Sequence, residues 1–241
     1  MNICVRYSGT GGTGIVYATG DTHGIMDAWK LLKEYFEDRK KLTRDDYVIV
    51  CGDFGILWDK KLTEQYRRFW RNEPYTVLFC DGNHENFNMI NSYEEVYWNG
   101  GKVHIIEDNV IHLMRGQIYE INNKKFFTFG GGTSIDKECR VEGLSWWPEE
   151  IASHEEMNEA LDNLEKNNNE VDYIITHAAP KTIVKMMFPK SHIECPVEKF
   201  LDEVYERVKF EQWLCGHYHM DKCFDDWGLR VLYRDVIKLE E

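Results

Sequence analysis

IVYATGDTHG, residues 15–24, joins an apolar, β-rich run to an aspartate and a histidine set between two glycines. The run has the length of a buried strand, and the glycines punctuate its end. Asp21 and His23 lie two positions apart, so in extended chain they project to the same side, and imidazole is the commonest protein metal ligand. The pattern recurs. YVIVC (47–51) leads into GDFG with Asp53, and TVLFC (76–80) leads into DGNHEN with Asn83 and His84. YIIT ends at His177, and QWLC leads into GHYHM with His217 and His219. In open α/β sheets the carboxyl ends of strands face the ligand crevice, so these side chains are expected to converge although they span almost the whole chain. Acidic, amide and imidazole groups at five strand ends, with glycine beside four of them, have no simple structural explanation.

Between these strands the pattern changes to that of helices. Ile25, Trp29, Leu32 and Phe36 recur at helical spacing, and so do Leu62, Tyr66, Phe69 and Trp70 in a segment closed by Pro74. Strand alternating with helix predicts a parallel sheet with crossover helices. KVHII, VIHLM, QIYEI and KFFTF follow, separated by Asp-Asn, Arg-Gly and Asn-Asn, and predict an antiparallel meander in a second sheet. Ser153 with Glu156 forms a capping box for a helix to about Glu165, ended by the asparagines at 167–169. A loop holding Pro180, Pro189 and Pro196, a helix over 197–208 and two last strands, KCF and LRVLY, complete the reading. GTGGTG (9–14) precedes a strand and lacks a Lys-Ser/Thr ending, so it reads as a turn after an N-terminal extension, residues 1–14.

The 241 residues are 43% hydrophobic, enough for one large α/β domain over 1–241. No stretch approaches the roughly eighteen apolar residues of a membrane span, and the N-terminus lacks the layout of a secretory signal, so no membrane partner and a cytoplasmic location are expected. Seven cysteines without a short repeated spacing fit free thiols. A formal charge of −13, from 42 acidic and 29 basic residues, disfavours a broad electrostatic grip on nucleic acid. It leaves room for a local cationic site, because bound divalent ions would dominate the charge of a cleft.

Taken in order, GDTHG, GDFG, GNHE, the Thr-His strand end and GHYH resemble the calcineurin-like metallophosphoesterase family from about Ile15 to His219. The resemblance implies a four-layer α/β/β/α sandwich with mixed sheets and flanking helices. It also implies two divalent metal ions, Mn²⁺ first, with Fe, Zn²⁺ or Mg²⁺ as alternatives. Asp21, His23, Asp53 and His219 would hold one ion, and Asp53, Asn83, His177 and His217 the other, with Asp53 as the bridge. Mixed oxygen and imidazole donors suit these metals. Two such ions roughly 3.5–4 Å apart lower the pKa of a bridging water and neutralise phosphate oxygens, so hydroxide would attack phosphorus in line, with no phosphoenzyme. His84 would serve as the catalytic residue, donating a proton to the leaving oxygen or stabilising its charge, with Asp81 either its orienting partner or a turn residue.

The expected activity is hydrolysis of a small phosphodiester or phosphomonoester, including nucleotides. A non-catalytic scaffold and a protein phosphatase are the alternatives. Protein Ser/Thr phosphatases of the superfamily carry a closely spaced Asp-Arg after the second motif, where GDFGILWDK has Ile56 and Leu57. Replacement phosphate-binding groups are sought in GGGTSIDKECR (130–140), where Lys137 and Arg140 stand in a glycine-rich loop. Arg140 is either a bidentate phosphate clamp or a solvated loop arginine. Trp146 and Trp147 either stack on a nucleobase or pack internally.

Overall fold

In the computed structural model, which describes residues 14–190 and 194–240, the chain runs through five helices and thirteen strands among the described residues. They are β1 (Val16–Thr19), β2 (Tyr47–Val50), α1 (Lys60–Arg71), β3 (Thr76–Phe79), the one-turn α2 (Phe87–Ile90) and β4 (Glu95–Trp98). Next come β5 (Gly101–Glu107), β6 (Val110–Leu113), β7 (Gln117–Ile121), β8 (Lys124–Phe129), α3 (His154–Lys166) and β9 (Tyr173–Thr176). The chain ends with α4 (Lys181–Met187), α5 (Pro196–Arg207), β10 (Gln212–Cys215), β11 (Lys222–Phe224), β12 (Leu229–Val231) and β13 (Val236–Lys238).

One sheet has the order β13-β1-β2-β3-β6-β5-β4 and the other β11-β12-β10-β9-β8-β7. β1, β2, β3 and β6 are parallel in the first, and β8, β9, β10 and β12 in the second. Their apolar sequences follow from burial on both faces. Ile49, Leu78 and Leu113 of the first sheet meet Phe126, Ile175 and Leu214 of the second in one core. Behind the first sheet, Tyr66 and Trp70 of α1 cover Val48, Val50, Val77 and Phe79. Behind the second, residues of α3, α4 and α5, among them Leu164, Ile183 and Leu201, cover Ile174 and Trp213. The expected four-layer α/β/β/α sandwich of mixed sheets is the observed architecture.

The differences are local and have physical causes. The helical spacing of Ile25, Trp29, Leu32 and Phe36 does not form an α-helix. Ala28–Leu31 and Glu37–Lys41 are 3-10 turns, Trp29 is exposed, and Lys30 points inward. The Lys30 ammonium donates to the carbonyls of Gly20, Asp21 and Tyr233, an anchor that a regular amphipathic helix would not make. The meander is divided: KVHII and VIHLM complete the first sheet as β5 and β6, and QIYEI and KFFTF open the second. Gly116, at φ +71° where a Cβ would meet Ala160 at 2.8 Å, makes the tight passage between them. β4, α2, α4 in the proline-containing loop, and β13 have no counterpart in the sequence reading. The capping box of α3 is present in both its halves, and Asn168 and Asn169 end the helix at φ 59° and 51°.

Among the described residues the six cysteines are free, and no helix is long and apolar enough to cross a membrane. The GTGGTG turn lies outside the described residues except for Gly14.

Candidate metal centre

Five loops meet above the carboxyl ends of β1, β2, β3, β9 and β10, contributed by both sheets. Backbone hydrogen bonds stitch them together: His23 N donates to Asp53 O at 2.9 Å and Gly216 N to His177 O at 3.0 Å, while Gly131 N of the loop after β8 donates to Asp81 O at 3.0 Å. Side chains leaving the strands must turn sharply to face a common point. His23, Asp53, His217 and His219 accordingly adopt left-handed φ of 44°, 47°, 70° and 49°. Each such residue costs on the order of 1–3 kcal/mol, and such strain clusters at functional sites. Glycine permits the closest approaches. A Cβ on Gly52 would stand 2.2 Å from His177 Nδ1, and one on Gly82 would stand 2.0 Å from Asp53 Oδ1.

The structure brings Asp21, His23, Asp53, Asn83, His177, His217 and His219 into two adjoining groups. Asp53 stands between them, with Oδ1 3.2 Å from His177 Nε2 and Oδ2 3.3 Å from His23 Nε2. On one side, ligand atoms of Asp21, His23 and His219 lie within 4.8 Å of one another. On the other, His177 Nε2 is 3.0 Å from Asn83 Oδ1 and 3.1 Å from His217 Nδ1. His177 Nδ1 donates to the Cys51 carbonyl at 3.0 Å, and its Nε2 faces Asp53 Oδ1, Asn83 Oδ1 and His217 Nδ1. Asp21 Oδ2 is buried without a hydrogen-bond partner, although His219 Nε2 is only 3.1 Å away. Carboxylate, amide and imidazole atoms packed this closely, around a carboxylate with no room for water, fit cations bound between them.

Electrostatics agree with this placement. Burial alone would raise the Asp53 carboxyl, but the imidazoles of His177 and His23 outweigh it and hold Asp53 far below its ordinary value. Asp21 is lowered despite burial, chiefly by His219 and His177. Burial disfavours a charged His23, yet Asp53 pushes it up to about 9. Burial and then the His177 imidazole push His217 down to about 4. Both carboxylates are thus ionised and ready to ligate. Binding metal would release the proton from His23.

His84 lies beside this cluster. Its backbone N–H donates to Asp53 Oδ1 at 2.7 Å, and its ring packs edge-on against His23 at 5.2 Å between centroids. Both of its ring nitrogens face the Arg140 guanidinium, at 3.1 and 3.0 Å. Arg140 is held by Asp136 through Nε at 2.8 Å and by the Ser145 carbonyl at 3.3 Å, so it is no freely solvated side chain. Lys137 is exposed in the same turn. Asp81 does not orient His84. It is buried in an ion pair with Arg115 at 2.5 Å and stands 3.3 Å from His112 Nε2. Trp147 is buried and packs on Trp58 at 5.8 Å, leaving no face for a base, and Trp146 is half-buried.

Several supporting residues escaped the sequence reading. Glu85, fully buried, accepts from the backbone N–H groups of Phe54 and Gly55 and so fixes the loop carrying Asp53. It sits within GNHE, and its place beside His84 was the available signal. Asp27 accepts from His23 Nδ1 at 2.7 Å, and Tyr233 stacks on His219 at 4.7 Å. Ser134 and Glu150 reach Asn83 from a distant loop, and no local pattern marks them.

No curated protein matches the chain closely enough to be set beside it. The family model described as calcineurin-like phosphoesterase matches residues 15–221, a span that contains every strand-end cluster described above, and the chain belongs to that metal-dependent family.

Proposed function

We propose that the protein hydrolyses a small phosphate ester at a dinuclear centre, with Asp53 bridging, Asp21, His23 and His219 on one ion, and Asn83, His177 and His217 on the other. The observation that carries this reading is the division of Asp53, whose two carboxylate oxygens face different imidazole groups at 3.2 and 3.3 Å. Mn²⁺ is the ion we favour for this oxygen and imidazole donor set. When bound, two divalent cations supply acidified water and charge neutralisation for the phosphate. Two carboxylates do not cancel their charge, so an anionic substrate is attracted locally despite the acidic surface.

The residues of the chain then divide the work. Asp53 and Asp21 supply fixed negative charge in a buried site. His84 serves the leaving oxygen by giving it a proton or a hydrogen bond. Arg140 presents its guanidinium to a non-bridging phosphate oxygen, held in place by Asp136. Ile135, Val141 and Leu144, exposed in the segment around Arg140, and Met26, exposed just after His23, support a substrate with an apolar or aromatic leaving group, nucleotides included. Ile56 and Leu57 are fully buried where protein phosphatases would carry polar residues, which argues against phosphoproteins.

The test is Mn²⁺ loading followed by assay of p-nitrophenyl phosphate, bis-p-nitrophenyl phosphate and a nucleotide panel. Turnover of one ester class supports the reading and names the class. Two bound ions with no turnover of any ester would refute it in favour of a scaffold.

A further inference from the structure

A chain of buried hydrogen bonds behind Asn83 has a fixed direction. Glu150, only 1% exposed, accepts from Ser134 twice: the backbone N–H donates to Oε1 at 3.1 Å and the hydroxyl to Oε2 at 2.6 Å. A hydroxyl has one proton. Having given it to the carboxylate, Ser134 Oγ meets its other neighbour only as an acceptor. That neighbour is the Asn83 side chain at 3.1 Å, which must therefore present Nδ2 to Ser134. Its Oδ1 is then turned the other way, to within 3.0 Å of His177 Nε2. An amide has two ends of nearly equal shape and opposite polarity, and only the oxygen ligates a cation. Ser134 and Asn83 are buried at 3% and 5% exposure, so water does not compete to set the orientation.

We infer that Glu150, acting through Ser134, is a positioning residue that sets the polarity of the Asn83 amide and thereby the affinity of the second metal site. This rests on the dinuclear reading above. Neither residue touches the proposed ions or the substrate. A carboxylate is needed at 150 because two protons must be accepted. Glutamine has one oxygen: if that oxygen takes the Ser134 N–H, its amide nitrogen faces Oγ. The hydroxyl proton is then redirected to Asn83, and the amide turns its nitrogen to the metal.

The test is calorimetric titration of the metal-free full chain with Mn²⁺, with folding of each variant checked by circular dichroism and thermal melting. Wild type should bind two ions. Ser134→Ala and Glu150→Gln should each weaken one of the two by roughly 10–100-fold, as outer-shell partners of metal ligands typically do, and leave the other unchanged. Asn83→Asp supplies a second arm that a merely structural role would not move. A carboxylate offers oxygen at both ends, so adding Ser134→Ala to Asn83→Asp should change Mn²⁺ affinity far less than it does in wild type. Folded variants with both affinities unchanged, or an equal loss in the Asn83→Asp background, would overturn the inference alone. Wild type binding fewer than two ions would overturn the dinuclear reading and the inference with it.

Discussion

Arg140 faces both ring nitrogens of His84, Nη1 at 3.1 Å from Nδ1 and Nη2 at 3.0 Å from Nε2. A neutral imidazole has one lone pair and an imidazolium has none, so at most one of these contacts is a hydrogen bond. Protonated His84 would meet a like charge. Burial lowers the His84 pKa first, and Arg140 adds to this against the opposing pull of Asp53. The guanidinium is the fixed cation of the pair, with donors left over for a phosphate oxygen. Arg140→Ala should therefore reduce kcat/KM for a phosphate ester by about 10–100-fold, the worth of a hydrogen bond to a charged group, with two Mn²⁺ ions retained. Arg140→Lys should recover only part of the loss because it lacks the planar fork. Unchanged KM and kcat in Arg140→Ala would end the clamp assignment.

His84 also lies close enough to His23 and Asp53 to ligate, since atoms of the three lie within 4.8 Å of one another. A ligand and a leaving-group partner respond differently to truncation. His84→Ala should keep both ions and lose roughly 10²–10⁴ in kcat, the usual range for a proton-transfer role. Metal analysis of the purified variant decides the matter, and loss of an ion would make His84 a ligand.

Asp53 joins the two groups, so its removal should affect both sites. Bound ions stabilise the folded chain by mass action. Wild type should melt at higher temperature as Mn²⁺ is added, and chelation should reverse the rise. Asp53→Ala should abolish most of that response, whereas a variant that loses one ion should keep part of it. A full Mn²⁺-dependent rise in Tm in Asp53→Ala would contradict a bridging role.

How legible this was differs by level. The strand ends were readable because each pairs an apolar run with a polar ligand type, four of the five with glycine as well, and burial on both faces leaves few other sequences possible. Lys30 shows the limit. It occupies an inward position in a stretch whose apolar spacing looks helical, and only the carbonyls of Gly20, Asp21 and Tyr233, the last 203 residues away, explain it. β13 was hidden for the same reason: Val236–Lys238 is a strand because β1 offers it an edge, with Tyr17 opposite Lys238. Local pattern also left Asp81 between an orienting partner and a turn residue, because its partner Arg115 lies 34 residues on. Arg140 was found through its composition-rich loop, but its facing of His84 was not, because a glycine-rich loop does not fix where its side chains point.

His104 and His112 form a buried pair on β5 and β6, with Nδ1 atoms 3.1 Å apart. His112 Nε2 stands 3.3 Å from Asp81, and of the two facing Nδ1 atoms one donates to the other. Burial and then the His112 imidazole push His104 down to about 4 from an ordinary value of 6.5. The unfolded chain therefore binds more protons than the folded one between pH 6.5 and 4, and stability present above 6.5 is lost as pH falls through that window. Thermal melts from pH 7 to 4 should show a declining Tm. His104→Asn, whose amide can donate or accept near the Nδ1 position but does not titrate, should flatten that decline. An equal decline in the variant would remove His104 as its source.

Gly82 separates Asp81 from Asn83, and its missing side chain is what lets the two neighbouring loops meet. A Cβ there would stand 2.0 Å from Asp53 Oδ1 and 2.3 Å from the Asp53 backbone nitrogen. The second distance decides the outcome, because a backbone atom cannot swing aside as a flexible side chain can. The strain should cost roughly 1–3 kcal/mol, as overpacking typically does, and Asp53 must give way, taking with it the oxygen that faces His177. Gly82→Ala should therefore bind Mn²⁺ more weakly than wild type and melt at lower temperature. Gly143→Ala is the control: its φ of 72° carries a similar local cost, but a Cβ there meets nothing within 4 Å. Equal Mn²⁺ affinity in the two variants would show that the close approach at Gly82 does not position Asp53.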